Sequence, residues 1–174
     1  MLFRSVLDIP CGLGRLTLEL AEYGCKMTGL DFTKPYLDIC QKVATERQLD
    51  VTLHQGDMRK PPWLNEFDAA LCVGGSFGYF DDDENEKFIK TVYDTLKPGG
   101  RLLLFCHVAE SLFPMFQRKD WRRIGSSIVL DDRSYDIENN RINSEWTIIR
   151  DNETTVQYSS MRIYRYSEIG RAHV

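Results

Sequence analysis

Val6-Leu7-Asp8-Ile9-Pro10-Cys11-Gly12-Leu13-Gly14-Arg15 decides how the chain is read, because an apolar run halts there at a small-residue turn and passes directly into a helical pattern. That is a strand, a tight loop and a helix start. Two glycines let the backbone approach a ligand closely, and the free N–H groups opening the next helix face whatever lies above the loop. The stretch predicts a nucleotide-like ligand. A dinucleotide fingerprint requires a third glycine where Thr17 stands, and no Gly-Lys-Ser/Thr follows to make a phosphate-cradling loop.

Working outward, Leu13, Leu16, Leu20 and Tyr23 recur at helical spacing and Gly24 supplies a stop. Residues 25–30 read as a second strand that delivers Asp31, 17 positions after Gly14. At about this separation a second parallel strand offers a carboxylate to ribose hydroxyls. Thr33 caps a helix with Pro35 in its first turn and Leu37, Cys40, Val43 and Ala44 as its buried stripe. Residues 51–54 form a third strand before Gly56-Asp57-Met58. Residues 67–73 form a fourth, with the near-continuous apolar character of a sheet covered on both faces. The fourth strand runs into Gly74-Gly75-Ser76-Phe77-Gly78-Tyr79-Phe80, too aromatic for an ordinary connector.

Asp81-Asp82-Asp83-Glu84 places negative charge at a helix start, a capping pattern rather than a metal site, and Phe88, Ile89, Val92, Tyr93 and Leu96 form that helix's apolar face. Lys97-Pro98-Gly99-Gly100 turns into a buried fifth strand at 101–106. Beyond Ala109 the pattern changes. Residues 111–122 read as a helix carrying Phe113, Met115, Phe116 and Trp121, followed by strands near 124–130, 135–137, 141–150 and 154–166. Asn139-Asn140 and Asp151-Asn152 supply turns. Alternation sends Ile142, Ser144, Trp146 and Ile148 to one face and Asn143, Glu145, Thr147 and Ile149 to the other.

The pattern Asp-x-x-Cys-Gly-x-Gly-Arg, with Asp31 in register, resembles the first motif of the class I S-adenosylmethionine-dependent methyltransferases. Pro10 stands where that family usually has glycine or alanine, and Leu-Lys-Pro-Gly-Gly before an apolar strand recurs in the same class. The resemblance covers residues 6–105. The remainder resembles the antiparallel insertion that some small-molecule members carry over the active site. The implied fold is α/β, a Rossmann-like three-layer sandwich with a mainly parallel sheet in order 3-2-1-4-5 and an antiparallel β extension. Residues 1–109 would form the S-adenosylmethionine-binding core and residues 110–168 the cap.

By the same resemblance, cofactor contacts fall on Asp8, Pro10, Cys11, Gly12, Gly14 and Arg15 in the first loop, on Asp31 and Phe32 after the second strand, and on Tyr36 against adenine. Asp57 accepts from the adenine amino group, the Met58 N–H meets a ring nitrogen, and Val73, Gly74 and Gly75 close the methionine end. Phe77 and Tyr79 wall the substrate pocket, with Trp146, Arg162, Tyr164 and Tyr166 as further contacts from the extension. His107 is the candidate base for removing a proton from an amine or hydroxyl. The activity implied is methyl transfer to N or O of a small molecule. A nicotinamide-dependent oxidoreductase on the same fold and a non-catalytic S-adenosylmethionine-binding module are the alternatives.

The 174 residues, 43% of them hydrophobic, suit one domain, and a net charge of −4 with scattered basic residues leaves no electrostatic footprint for nucleic acid. Five cysteines, odd in number and far apart, read as buried thiols in a reducing cytoplasm, and His54, His107 and His173 lack metal-ligand spacing. No apolar run approaches the ~20 residues of a membrane span. Both ends look truncated. Met1 falls almost on the first strand, and residues 169–174 match the translation of a short-read sequencing adapter, ATC GGA AGA GCA CAC GTC.

Overall fold

The computed structural model describes residues 5–151 and 153–169; Asn152 of the expected turn, His173 and residues 170–174 of the suspected adapter tail lie outside the described residues. Two compact units are distinguished, one from the described residues of Met1–Phe77 with Asp83–Cys106, the other from Gly78–Asp82 with the chain from His107 onward.

In the first unit, apolar runs become parallel strands and the amphipathic stretches between them become helices. The elements are β1 (Ser5–Asp8), α1 (Arg15–Glu22), β2 (Lys26–Asp31), α2 (Lys34–Glu46), β3 (Val51–Gln55), β4 (Phe67–Cys72), α3 (Asp82–Thr95) and β5 (Leu96–Leu104). The sheet order β3-β2-β1-β4-β5 is the expected one, parallel throughout. Its centre is dry: Leu7, Met27, Leu30, Ala70 and Cys72 are at most 1% exposed, and burial of each large apolar side chain contributes about 1.5–3 kcal/mol. The chain turns from one side of the sheet to the other between β1 and β4, and in such sheets the loops after the strands at that switch hold the ligand.

Three details depart from the sequence reading. Helix α1 starts at Arg15, so Thr17 and Ala21 form its inner face while Leu13 in the loop and Tyr23 at the C-cap stand 50% and 72% exposed. Helix α3 buries Asn85, Phe88, Val92 and Thr95, turning Tyr93 outward. Strand β5 stands at the edge of the sheet, as the expected order has it, and among the described residues pairs only with β4, but it is not buried: Leu103 is 57% and Phe105 53% exposed. It also begins early, at Leu96, and the Lys97–Gly100 turn enters as a register irregularity opposite Phe67 and Ala69.

The second unit is an antiparallel meander of β6 (Lys119–Ile124), β7 (Ser127–Asp136), β8 (Arg141–Arg150) and β9 (Glu153–Arg162). The helix expected over residues 111–122 is instead α4 (Ala109–Leu112), one 3-10 turn at Phe113–Met115 and strand β6. Pro114 cannot donate to a continuing helix, and Gly125, at φ 59, joins Ser126 in a two-residue hairpin that pairs Ile124 with Ser127. The two strands expected at 124–130 and 135–137 are one continuous β7. A last turn of helix, α5, spans Tyr166–Ile169.

Candidate functional site

The loop after β1 is shaped from below by close packing and left open above. Gly14 sits at φ 79 beside the Cys40 side chain; a methyl group there would overlap Cys40 Sγ and approach its Cβ to 2.9 Å. Gly12, at φ 56, has nothing within 4 Å of where a Cβ would stand, and Gly74 after β4, at φ 93, is equally open. Only glycine enters these conformations without strain, and at Gly12 and Gly74 its missing side chain leaves room for a ligand against the backbone.

Asp31, at the end of β2, ties the loops together. Its Oδ2 accepts from the Gly12 N–H at 2.8 Å and its Oδ1 from the Thr33 N–H at 2.8 Å. Cys11 N–H donates to Leu30 O at 2.9 Å, Ile9 N–H to Leu71 O at 2.9 Å, and Gly56 N–H to Asp31 O at 3.0 Å. The ends of β1, β2, β3 and β4 are thereby locked edge to edge. Asp8 is 3% exposed and accepts from Thr17 Oγ1 at 2.7 Å. Burial pushes its carboxyl up to about 6, against the lowering pull of the Thr17 bonds. Thr17, at the place of a dinucleotide motif's third glycine, is thus committed to Asp8.

The remaining expected cofactor contacts are distributed around this rim. Phe32 (76% exposed) and Tyr36 (45% exposed) offer aromatic surface beside Asp31. Arg15 is exposed, Pro10, Met58 and Val73 are half-buried, and Cys11 and Gly75 are buried. Asp57 is shared: Arg59 donates to it from its backbone N–H at 2.9 Å and from its guanidinium at 2.6–3.1 Å. That guanidinium holds the Asp57 carboxyl below the usual carboxylate range, and an adenine amino group would compete with Arg59 for it. Sequence reasoning overlooked Arg59, although a cation two residues after an aspartate in a turn is a readable signal.

In the second unit a cavity of ≈ 320 Å³ is lined by Tyr79, His107, Asp131, Ser144 and Trp146 among others. Tyr79 and His107, two of the expected acceptor-side residues, meet there. Ile142, Ser144 and Trp146 reach it from the face that strand alternation assigned to them. Arg162 and Tyr164 are placed elsewhere. Arg162, 8% exposed, donates to Asp82 Oδ1 at 3.0 Å and Glu168 Oε1 at 2.9 Å and lies 4.4 Å from the Tyr164 ring centroid, while Tyr164 Oη donates to Asp82 Oδ1 at 2.9 Å. These groups hold the C-terminal turn to residue 82. Phe77 belongs to the first unit, 6% exposed with its ring 6.3 Å from that of Phe88, and Tyr166 is 71% exposed. Arg141, which no pattern had singled out, donates to the carbonyls of Phe80, Tyr79 and Ser160 at 2.9–3.0 Å and so clamps the aromatic loop.

Among the described residues no group of three or more His, Cys, Asp or Glu side chains could hold a metal, and no helix is long and apolar enough to cross a membrane.

The sequence profile of a family described as "Methyltransferase domain" matches residues 6–100. The demethylmenaquinone methyltransferase of Deinococcus radiodurans is 32% identical over 104 residues, covering 58% of this chain and 42% of that protein. The chain spans less than half the length of the curated relatives it matches. Two solved structures share the fold. An S-adenosylmethionine-dependent methyltransferase from Clostridium acetobutylicum has TM-score 0.85 at 18% identity, covering 98% of this chain and 71% of the other. CalS10, an amino pentose methyltransferase of Micromonospora echinaspora solved with S-adenosylmethionine bound, has TM-score 0.70 at 20% identity over 98% and 73%. The glycine loop, the Asp31 tie and strands β2, β3 and β4 fall within the matched residues, and the chain belongs to the methyltransferase domain family.

Proposed function

We propose that the chain binds S-adenosylmethionine on the loops after β1, β2, β3 and β4 and takes part in methyl transfer to N or O of a small-molecule acceptor. One observation carries this reading: Gly12 and Gly74 flank the β1/β4 switch with open space where side chains would be, and Asp31 fixes the Gly12 loop from below. The residues present fit this cofactor. Asp31 retains lone pairs for ribose hydroxyls beyond its two backbone bonds, Phe32 and Tyr36 present aromatic faces of the kind that pack on adenine, and the Gly12 loop needs to hold no pyrophosphate.

When bound, S-adenosylmethionine supplies a methyl group already activated by its sulfonium. The chain's own task is to align an acceptor lone pair and exclude water, with no covalent enzyme nucleophile. His107, at the cavity of the second unit, is the base we assign for an acceptor that must lose a proton. Tyr79 lines the same cavity and is the residue of the aromatic loop we assign to the acceptor.

Thermal unfolding tests the cofactor assignment. S-adenosylhomocysteine at a hundred times its dissociation constant raises stability by about 2.7 kcal/mol, and the melting temperature with it. Equal concentrations of NAD leave the melting temperature unchanged. A rise with NAD and none with S-adenosylhomocysteine would replace this reading with the oxidoreductase one.

A further inference from the structure

Among the described residues of the second unit, two buried polar side-chain atoms lack partners, and they belong to residues directly opposite each other. Asp131 on β7 is in register with Trp146 on β8. Asp131 is 4% exposed, its Oδ1 has no hydrogen-bond partner, and neither has Trp146 Nε1. Both residues line the ≈ 320 Å³ cavity, a size in the ~300–1,000 Å³ range of small-molecule pockets. A carboxylate oxygen only accepts and an indole N–H only donates. A buried group of either kind left unpaired keeps its full desolvation cost, so the pair calls for an occupant that both donates and accepts.

The charge around the pair narrows the occupant further. Asp131 Oδ2 is ion-paired with Arg133 Nη2 and lies 3.6 Å from Arg122 Nη1, and both arginines also line the cavity. Two guanidinium groups against one carboxylate leave a net positive charge, which repels an ammonium at Oδ1 and tolerates a neutral hydroxyl. The indole adds a flat apolar face beside its donor, suited to a ring whose hydroxyls lie at its edge. A purely apolar fused ring would leave both polar atoms stranded.

We propose that this cavity binds a neutral ring bearing hydroxyl groups, with hydroxyls donating to Asp131 Oδ1 and accepting from Trp146 Nε1. That such a polyol is the methyl acceptor rests on the methyltransferase reading above; that the cavity binds it does not. The site selects the acceptor by its hydroxyls even where the atom methylated is a nitrogen.

The test is nuclear magnetic resonance on the ¹⁵N-labelled full chain, which has three tryptophans. The Trp146 indole resonance is identified by its loss in Trp146→Phe. Methyl β-D-glucopyranoside and trans-1,2-cyclohexanediol shift that resonance saturably, whereas trans-1,2-diaminocyclohexane and 1,4-naphthoquinone at equal concentration do not. Trp146→Phe, which keeps a flat ring and removes the donor, weakens glucoside binding about tenfold as read from the β8 amides. The proposal is overturned if the glucoside and diol leave the indole resonance unmoved, if the diamine or quinone shifts it as strongly, or if Trp146→Phe binds the glucoside within twofold of the parent. S-adenosylhomocysteine added to the same sample separates the two claims. Its binding without the polyol's sinks the polyol site alone, and the polyol's binding without it sinks the methyltransferase reading alone.

Discussion

Asp31 Oδ2 accepts the Gly12 N–H at 2.8 Å, so the carboxylate ending β2 holds the glycine loop ending β1 in place. Its other oxygen does the same for Thr33 at 2.8 Å. Asp31→Ala strands two backbone donors next to a buried site and removes charge-assisted bonds, each worth about 1.5–3 kcal/mol. Urea unfolding is expected to show a loss of roughly 2–4 kcal/mol, with S-adenosylhomocysteine binding at least tenfold weaker. Asp31→Asn, which keeps one acceptor, falls between.

The two loop glycines separate folding from binding. Gly14→Ala combines a left-handed backbone with overlap on Cys40 and is expected to cost about 2–5 kcal/mol in stability. Gly12→Ala meets no neighbour and costs about 1–2 kcal/mol from its φ alone, yet its methyl projects into the space assigned to the cofactor. Paired urea and calorimetric measurements should find the larger unfolding effect at Gly14 and, at Gly12, a binding loss of at least tenfold in a chain that still folds cooperatively.

The parallel sheet was legible because four of its five strands end at or just before a diagnostic residue: Asp8 before the glycine loop, Asp31, Asp57, and the Gly74-Gly75 pair. These signals are local and their spacing is set by strand–helix repeats. What escaped depends on pairing across the chain. The expected order already put β5 at the edge of the sheet, but the apolar run at 101–106 looks the same whether one face or both are covered, so the exposure of Leu103 was not legible. Gly125-Ser126 is a hairpin signal that the strand expected near 124–130 ran straight across, and Pro114 ends the helical look of residues 111–122. Arg162 and Tyr164 had the composition of substrate contacts. Their commitment to Asp82, 80 and 82 positions away, could be known only from tertiary structure. Asp131 was passed over for the same reason, since its importance lies in facing Trp146 across two strands.

Asp8 makes stability depend on pH in the direction opposite to an ion-paired carboxylate. Its folded-state value of about 6 lies above the ordinary 3.8, so the protonated form favours the native state. This contribution is fully present below pH ~4 and is lost as pH rises through about 6, an effect of roughly 3 kcal/mol for a shift of this size. Asp8→Asn, neutral at every pH and still able to accept from Thr17, should match the parent near pH 4 and exceed its stability by roughly 1–3 kcal/mol at pH 8. Urea midpoints at pH 4, 6 and 8 measure this, and a variant less stable than the parent at pH 8 contradicts it.

Arg162 acts as a structural clamp. Its carboxylate partners Asp82 and Glu168 have side chains 62% and 39% exposed, so they return to water when the guanidinium is removed. The expected cost of Arg162→Met is therefore the lost bonds, about 1.5–3 kcal/mol. Arg162→Lys keeps the charge but not the fork that spans both carboxylates, and recovers less than half of that loss. Chemical unfolding of both variants at one pH supplies the comparison.

The most direct measurement is a calorimetric titration of S-adenosylhomocysteine into the cooperatively folded chain, run beside Asp31→Ala and with NAD as competitor. One saturable site is expected, weakened at least tenfold by Asp31→Ala and undisturbed by NAD. A folded chain that takes up no S-adenosylhomocysteine, or one that binds it equally well without the Asp31 carboxylate, contradicts the claim that the Asp31–Gly12 loop is the cofactor's cradle.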